Sequence, residues 1–348
     1  MPRLASWGII TIGALCGLLA GCRSEGDATG APRLRLAHVY ELSAPSHAFG
    51  AARLPQKLVE AGADLKVSVF PAAQLGREAE LLEQLVAGEL EMAIAGPSFL
   101  AMWHEPIGLF DAAYAFRDTD HLLEVSRGPA AQAMWDELRE RYGVRVLDTW
   151  FYGLRHLTSN RPIRHPDDLA GFRLRMPDAR IWQASGQALG ASPMPIAFAE
   201  VYLALQQGIA DGQENPISTI QAMGFHEVQG YLNLTGHIQS SIQILIAERV
   251  WRRLSREAKE ALLTSVGDLG AEVREGIERS EREILNRWRS RATLEVIEDL
   301  DVEAFRRRAR AHFSQGFDFS ELYREITADE SPPQEKGRME PFASENPG

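Results

Sequence analysis

The apolar positions change period several times after Leu34. "LRLAHVY" and "LKVSVFP" alternate as strands do, whereas "PSHAFGAARLPQKLVEAG" has helical spacing interrupted by Pro55. "REAELLEQLVAGE" predicts a helix that ends at Gly88, and the apolar "EMAIAG" predicts a further strand. The order strand, helix, strand, helix, strand predicts a mostly parallel sheet covered by helices.

A second block of similar pattern follows later in the chain. "GFRLRMP" predicts a strand, "ARIWQASGQALG" a helix, "ASPMPI" an extended segment, "AFAEVYLALQQG" a helix and "IADGQEN" a last strand. The helix ends "LVAGELEMA" and "LQQGIADGQ" also look alike. We therefore predict two α/β lobes of similar build. One large sheet with a coincidental similarity is the alternative.

A long amphipathic helix is predicted from the cap Ser255 to about Arg289. At the usual rise per residue it spans roughly 50 Å, which is enough to brace both lobes. "LEVIEDLDVEAFRRRARAHFSQG" adds a strand and a helix capped near Asp301. The polar, proline-containing end of the chain is predicted to be disordered.

The N-terminus, "MPRLASWGIITIGALCGLLAGC", has one early cation and an apolar run that is short for a transmembrane helix. Its end, Leu19-Ala20-Gly21-Cys22, resembles a bacterial lipobox, whose cysteine is acylated after cleavage. An ordinary signal peptide is the alternative. Cys16 lies in the segment that would be removed, so the mature chain has no partner for an internal disulfide of Cys22.

Charge and motifs narrow the classes of function. The net charge of −11 makes nucleic acid an unfavourable partner, and 45% hydrophobic residues allow a large core. The sequence has no phosphate loop, dinucleotide fingerprint, zinc-protease motif or nucleophile elbow. The nine histidines lack metal-ligand spacing, and His156 and His165 are interpreted as surface residues. We therefore predict no cofactor, no metal and no enzyme activity.

Arginines are concentrated between Tyr152 and Trp182. In "GFRLRMP" the alternation places Arg173 and Arg175 on one face, with Arg175 near the carboxyl end, where open α/β sheets bind ligands. A guanidinium is a planar fork that matches a carboxylate. For each of these arginines a solvated surface charge is the alternative.

The run "DGQENP" contains acids and amides but almost nothing that could fill a core. Pro216 suits the first position of a helix, and Asn215 suits its cap. A capped helix start is one interpretation, and a polar wall with an amide that holds ligand oxygens is the other. Spacing alone leaves both open.

Three stretches resemble the substrate-binding proteins of TRAP transporters, which are tripartite periplasmic importers. The stretches are "GLRHLTSNRPIRHPDDLAGFRLRMP", "ALGASPMPIAFAEVYLALQQGIADGQENP" and "FPAAQLGREAELLEQLVAGELEMAI". The resemblance runs from about Leu34 to Phe319. It implies an α/β fold of the periplasmic-binding-protein type, with two lobes that close on ligand, joined by crossing segments and a long helix.

The resemblance also implies a binding site. Arg175 matches the arginine that pairs with the ligand carboxylate, and Arg155 in "GLR" matches a second arginine. Asn215 is similar to an asparagine that hydrogen-bonds the ligand, Phe198 to an aromatic that packs on it, and His47 to a histidine near the cleft.

Trp150, just before the second lobe, is predicted to form a wall of the site. Where sialic-acid-binding members have an acidic residue and a nearby arginine, this chain has Gly96-Pro97-Ser98-Phe99. This departure disfavours sialic acid. It leaves uronates, aldonates, other hydroxy acids and C4-dicarboxylates as ligands.

The predicted protein is a lipid-anchored, monomeric receptor of the periplasm that binds an organic acid and delivers it to the membrane subunits of a TRAP permease. A ligand-presenting sensory lipoprotein and a secreted lipoprotein enzyme acting on carboxylates are the alternatives. The predicted segments are a signal peptide (1–21), a tether (22–33), a first lobe (34–152 plus about 241–280), a second lobe (153–240 plus about 281–326) and a disordered tail (327–348).

Replacing Cys22 with Ala is expected to release the protein from the membrane fraction, because acylation of the new N-terminus would be lost. Fractionation of cells and mass spectrometry of the wild-type N-terminal peptide measure this. Several acyl chains are expected, since one chain anchors only marginally. A variant that stays in the membrane fraction, with no lipid mass on the wild type, would contradict the prediction.

Overall fold

The computed structural model describes residues 31–291 and 294–328. In these ranges nine strands form one hydrogen-bonded sheet. The strands are β1 (Arg33–Ala37), β2 (Lys66–Phe70), β3 (Met92–Ala95), β4 (Val144–Ser159), β5 (Arg173–Met176), β6 (Ser192–Pro195), β7 (Gly212–Pro216), β8 (Tyr231–Ala247) and β9 (Glu295–Ile297). Their order is β2-β1-β3-β8-β4-β7-β5-β6, with β9 beside β8.

Helices cover this sheet and connect its strands. In the described ranges they are α1 (Leu54–Glu60), α2 (Glu78–Ala87), α3 (Pro97–Leu100), α4 (Thr119–Arg127), α5 (Pro129–Tyr142), α6 (Arg180–Leu189), α7 (Val201–Gln206), α8 (Ile217–Ala222), α9 (Glu248–Arg253), α10 (Arg256–Arg291), α11 (Val302–Phe313) and α12 (Ser320–Ala328).

Each end of the sheet has the parallel pairing that the sequence predicts. β1 pairs in parallel with β2 and β3, and β5 pairs in parallel with β6 and β7. As predicted, α2 ends at Gly88 and α6 at Gly190, and both glycines adopt the left-handed conformation that closes a helix. The α/β fold of two similar halves is therefore confirmed.

The middle of the sheet is made by β4 and β8, which are 16 and 17 residues long and pair antiparallel. The sequence patterns did not predict these strands. Polar residues such as Asn233, His237 and Gln243 are fully buried on β8, so no alternation of apolar and polar positions marks it. Both interpretations of the second block thus hold in part: there are two halves, and one continuous sheet runs through them.

The pairing of β4 with β8 is irregular at three points, one of which lies between Phe151 and Gly153. Gly153 has a φ of 132°, which side chains other than glycine rarely adopt. A Cβ atom there would lie 2.5 Å from Cβ of Pro216 and 2.8 Å from Oε1 of Glu281. Glycine thus allows β4, the end of β7 and the long helix α10 to approach closely.

The long helix matches its prediction closely. α10 has 36 residues, and the Ser255 hydroxyl accepts a hydrogen bond from the backbone N–H of Ala258. Trp150 of β4 packs against it, with the indole N–H donating to the carbonyl of Val266. α10 also contacts α1 and α8, which lie in different halves. It therefore braces both lobes.

The first predicted helix is interrupted in the structure. A wide π turn (Ser46–Gly50) and a 3-10 turn (Ala51–Arg53) precede α1, which begins with Leu54 and has Pro55 in its first turn. Proline is tolerated there because its missing N–H would have no partner in the helix. The awkward position of Pro55 is thus explained by a helix that begins later than the periodicity indicates.

The ends of the chain are described only in part. The predicted signal peptide, Cys22 and most of the tether lie outside the described residues. The tail predicted from residue 327 begins inside α12, since Thr327 and Ala328 belong to that helix. Among the residues described, no helix is both long enough and apolar enough to cross a bilayer.

Glu281 of α10 provides a pH-dependent test of the fold. Its carboxylate accepts hydrogen bonds from the backbone N–H and hydroxyl of Ser218, at 3.4 and 3.2 Å. Burial nevertheless raises its pKa to about 8. The folded state favours the protonated form of Glu281. The stability that this group contributes is therefore fully present below its pKa in the unfolded chain, and it is lost as the pH rises towards 8.

We expect Glu281→Gln to remove this loss. Between pH 6 and pH 9 its free energy of unfolding should fall by about 2 kcal/mol less than that of the wild type. Urea denaturation at both pH values measures the difference. The control Glu283→Gln alters an exposed residue of the same helix and should follow the wild type. An equal loss in Glu281→Gln would show that Glu281 does not titrate in this range.

Candidate functional site

A cavity of about 460 Å³ lies where the carboxyl ends of the parallel strands meet. Tyr40 follows β1, Gly96 follows β3, and the segment 195–200 begins at the end of β6. Long strand β8 contributes Ser240 and Ser241. Residues of both halves of the sheet therefore line one cleft.

Arg175, at the carboxyl half of β5, is a buried cation on this cleft. Only 1% of the residue is exposed, and its Nε and one terminal nitrogen donate to the carbonyl of Ile196 at 2.9 and 2.6 Å. No carboxylate of the described residues lies within ion-pair distance of it. Burial lowers its pKa to about 10, so it is charged at neutral pH. The remaining N–H groups form a fork that can receive a carboxylate.

Arg155, on β4, is also buried in the cleft but already has a partner. Its Nε and a terminal nitrogen donate to the carboxylate of Glu214 at 2.5 and 2.8 Å. Burial alone would raise the pKa of Glu214, but the charge and hydrogen bonds of Arg155 outweigh it, so this pKa is lowered. The guanidinium also lies 4.4 Å from the ring centroid of Trp182. Arg155 is therefore fixed by the protein before any ligand binds.

Asn215 belongs to β7 and does not cap the next helix. Its Oδ1 accepts from Arg155 at 2.9 Å, and its Nδ2 donates to Gln213 at 2.6 Å. The start of α8 has no side-chain cap, with Pro216 preceding it as the last residue of β7. The interpretation of "DGQENP" as a capped helix start is thus wrong, because Gly212–Pro216 form a buried strand from which Asn215 lines the cleft.

The remaining predicted site residues lie in different places. Phe198 lines the cleft and packs edge-on against Phe225. His47 is buried, with Nδ1 3.1 Å from Nε2 of His38, and it is not part of the cavity lining. Trp150 packs in the core against α10 and is also absent from that lining.

The two histidines interpreted as surface residues differ. His165 is partly exposed beside Asp167. His156 is 7% exposed, and burial lowers its pKa to about 3, so it is neutral. It accepts a hydrogen bond from the backbone N–H of Gly236. The surface interpretation of His156 is therefore wrong, because the long strand β4 carries it into the interior.

Sequence reasoning missed several residues of the cleft. Glu214 pairs with Arg155, and Glu78, in the first turn of α2, is one of the residues that line the cavity. Tyr152 and Tyr40 also line the cavity, with their ring centroids 5.0 Å apart. The position of Glu78 carried a signal, because a helix that follows a parallel strand begins at the carboxyl edge of the sheet. In the described residues no group of three or more histidine, cysteine or acidic side chains could hold a metal ion.

Comparison with known families agrees with this geometry. Residues 37–318 match the DctP family, described as bacterial extracellular solute-binding protein, family 7. The chain belongs to solute-binding protein family 7. The resemblance to TRAP substrate-binding proteins is thereby confirmed, and family 7 proteins are binding receptors of transporters rather than enzymes.

Relatives and solved structures extend this assignment. The sialic acid-binding periplasmic protein SiaP of Vibrio cholerae serotype O1 is 34% identical over 238 residues, which are 68% of this solute-binding protein and 74% of the relative. A crystal structure of a TRAP solute-binding protein from Roseobacter denitrificans, with bound L-galactonate, has a TM-score of 0.79 and 31% identity, and covers 85% of this chain and 99% of that chain.

A third comparison concerns a different ligand. A TRAP solute-binding protein from Sulfurospirillum deleyianum, crystallised with bound succinate, has a TM-score of 0.77 and 27% identity, and covers 86% of this chain and 99% of that chain. One protein of this fold thus binds a sugar acid, and another binds a dicarboxylate.

The pairing of Arg155 with Glu214 generates a test of stability. Glu214→Ala would leave a buried guanidinium without its counter-ion, which typically costs about 3–5 kcal/mol. We expect a decrease of that size in the free energy of unfolding, measured by urea denaturation. The control Asp211→Ala removes a more exposed carboxylate of the same segment, paired with Arg173, and should cost about 1 kcal/mol or less. Equal effects of the two variants would contradict a structural role for the buried pair.

Proposed function

We propose that this protein is the extracytoplasmic receptor of a TRAP transporter and binds an organic acid through Arg175. The observation that supports this is a buried guanidinium at the carboxyl end of β5, lining a cleft, with no carboxylate partner among the described residues. A cation in such a place is costly unless an anion completes it. The carboxylate of the ligand would supply that anion.

Further contacts of the ligand are proposed from the cleft wall. The amide of Asn215 and the ring of Phe198 border the same cavity as Arg175. Arg155 supports the site by holding Asn215, and it would add positive potential near the ligand. His47 and Trp150 are left out of the proposed contacts because the structure places both outside the lining. The ligand class is a sugar acid or a C4-dicarboxylate, as bound by the relatives.

Delivery and location follow from the family. Family 7 receptors are periplasmic and work with membrane permease subunits, and we propose the same partners here. The lipobox-like sequence before Cys22 supports attachment of the protein to a membrane by acyl chains. We propose that it acts as a monomer, because residues from both halves of this chain line the cleft together.

Substitution of Arg175 tests the proposed function. Truncating one partner of a buried, hydrogen-bonded charge pair typically costs about 2–5 kcal/mol, so Arg175→Ala should weaken binding roughly 30-fold to several-thousand-fold. Arg175→Lys should also bind poorly, since an ammonium cannot reproduce the fork. A thermal-shift screen of sugar acids and dicarboxylates identifies the ligand, and titration calorimetry measures the affinities.

Arg164 provides the matched control. Its side chain is 44% exposed and pairs with Asp299 at 3.0 Å, away from the cleft. Arg164→Ala should leave the affinity within about threefold of the wild type. If Arg175→Ala also binds within about threefold, the ligand carboxylate does not pair with Arg175 and the proposed site is wrong. Turnover of the ligand by the purified protein would instead indicate an enzyme.

A further inference from the structure

A cluster of cations lies on α9 and on the first turn of α10, and we call it the α9 surface. Its members are Arg249, Arg252, Arg253, Arg256 and Lys259. From Glu248 to Lys259 the sequence has five cations against two acids, although the net charge of the whole chain is −11. This segment therefore attracts anions that most of the protein repels.

Few of these charges are neutralised by the protein. Arg249 and Arg253 are exposed, and no carboxylate of the described residues lies within ion-pair distance of either. Glu248, the acid at the start of α9, is paired with Arg145 at 2.7 Å and with Arg252 at 3.0 Å. The α9 surface thus presents guanidinium groups to solvent without carboxylate partners.

Two exposed acids of α10 reduce this positive charge only in part. Glu257 and Glu260 lie 3.5 and 3.4 Å from Arg256, whose side chain is 78% exposed. Ion pairs as exposed as these are weak, because water and salt screen them. Arg256 can therefore leave either acid for a stronger anion.

Apolar groups accompany the cations. Trp251 is partly exposed, and its ring centroid lies 5.0 Å from the guanidinium carbon of Arg145 and 5.6 Å from Nζ of Lys259. Leu263, one turn after Lys259 on the same face of α10, is 44% exposed. Cations beside an indole ring and an exposed aliphatic side chain are typical of a surface that contacts lipid headgroups.

The described fold begins at the same edge of the sheet. β1 starts at Arg33 and runs from this edge to the cleft, where Tyr40 follows it. Its neighbour β3 starts with Met92 opposite Ile246, near the end of β8, and α9 follows β8 directly. Cys22 precedes Arg33 by eleven residues, which span at most about 40 Å. An acyl anchor on Cys22 would keep this edge within reach of the bilayer.

We propose that the α9 surface binds the headgroups of anionic phospholipids in the membrane that carries the anchor. The inference rests on the proposed acylation of Cys22, because the anchor supplies the proximity that makes a weak surface effective. Each arginine or lysine near an anionic membrane adds attraction. An acidic protein would satisfy the same charges, but the anchor itself brings only a lipid surface to this edge.

The test separates the α9 surface from the anchor. The full mature chain with Cys22→Ala, which cannot be acylated, is mixed with vesicles of phosphatidylcholine alone or with an equal amount of phosphatidylglycerol. Sedimentation at low salt measures the bound fraction. We expect about tenfold tighter binding or more to the anionic vesicles, and a loss of this preference as the salt concentration rises.

In the same chain, Arg253→Glu combined with Arg256→Glu should weaken binding to anionic vesicles about tenfold or more. The matched control combines Arg282→Glu with Arg307→Glu, which changes the net charge equally at exposed positions of α10 and α11. Arg282 lies about seven helical turns beyond Arg256, so the control should bind within about threefold of the parent chain. Both variants should melt like the parent chain and keep its affinity for the organic acid, because the cleft lies at the other edge of β1.

Equal binding to the two kinds of vesicle, or an equal loss in the two double variants, would overturn the lipid-binding role. Absence of binding to either vesicle would also overturn it, and the cations would then suit an acidic protein partner. Failures of the underlying proposals are recognised separately. Mass spectrometry of the Cys22 peptide tests the anchor, and titration with organic acids tests the receptor function.

Discussion

The antiparallel pairing of β4 with β8 is the constraint on which the rest of the structure depends. These two strands run through both halves of the sheet, so their backbone hydrogen bonds join the lobes without a separate linker. Arg155 from one strand and Ser240 from the other reach the same cleft as a result. The close approach at Gly153 then lets α10 pack along the joint.

The division of labour between the two central arginines follows from this arrangement. Arg155 lies on β4 directly beside β7, where Glu214 can neutralise it inside the protein. Arg175 lies on a short strand whose end opens to the cleft, and a backbone carbonyl fixes its orientation without cancelling its charge. Arg155, neutralised by Glu214, makes the site rigid. Arg175, whose charge has no carboxylate partner among the described residues, attracts the anion.

Much of the fold was predictable because short strands and helices carry their own periodicity, as α2, α6 and α10 show. Arg175 was predictable because strand alternation and the carboxyl-end rule act locally. The long strands were not, since buried polar residues such as Asn233 and His237 obtain hydrogen bonds from segments that are distant in the sequence. Glu214 was missed and His156 was misjudged for the same reason. Their hydrogen-bond partners lie 59 and 80 residues away in the sequence, where no local pattern reveals them.

Arg77 and Glu200, which both line the cleft, form an ion pair at 2.8 Å that bears on how fast solute reaches the site. Both side chains are more than half exposed, so the pair contributes about 1 kcal/mol or less and is screened by salt. Breaking it changes the balance between the joined and separated forms by about fivefold at most. The pair therefore holds the two segments together only weakly, and ordinary thermal motion can break it. The residence time of a captured acid is then set by its own contacts inside.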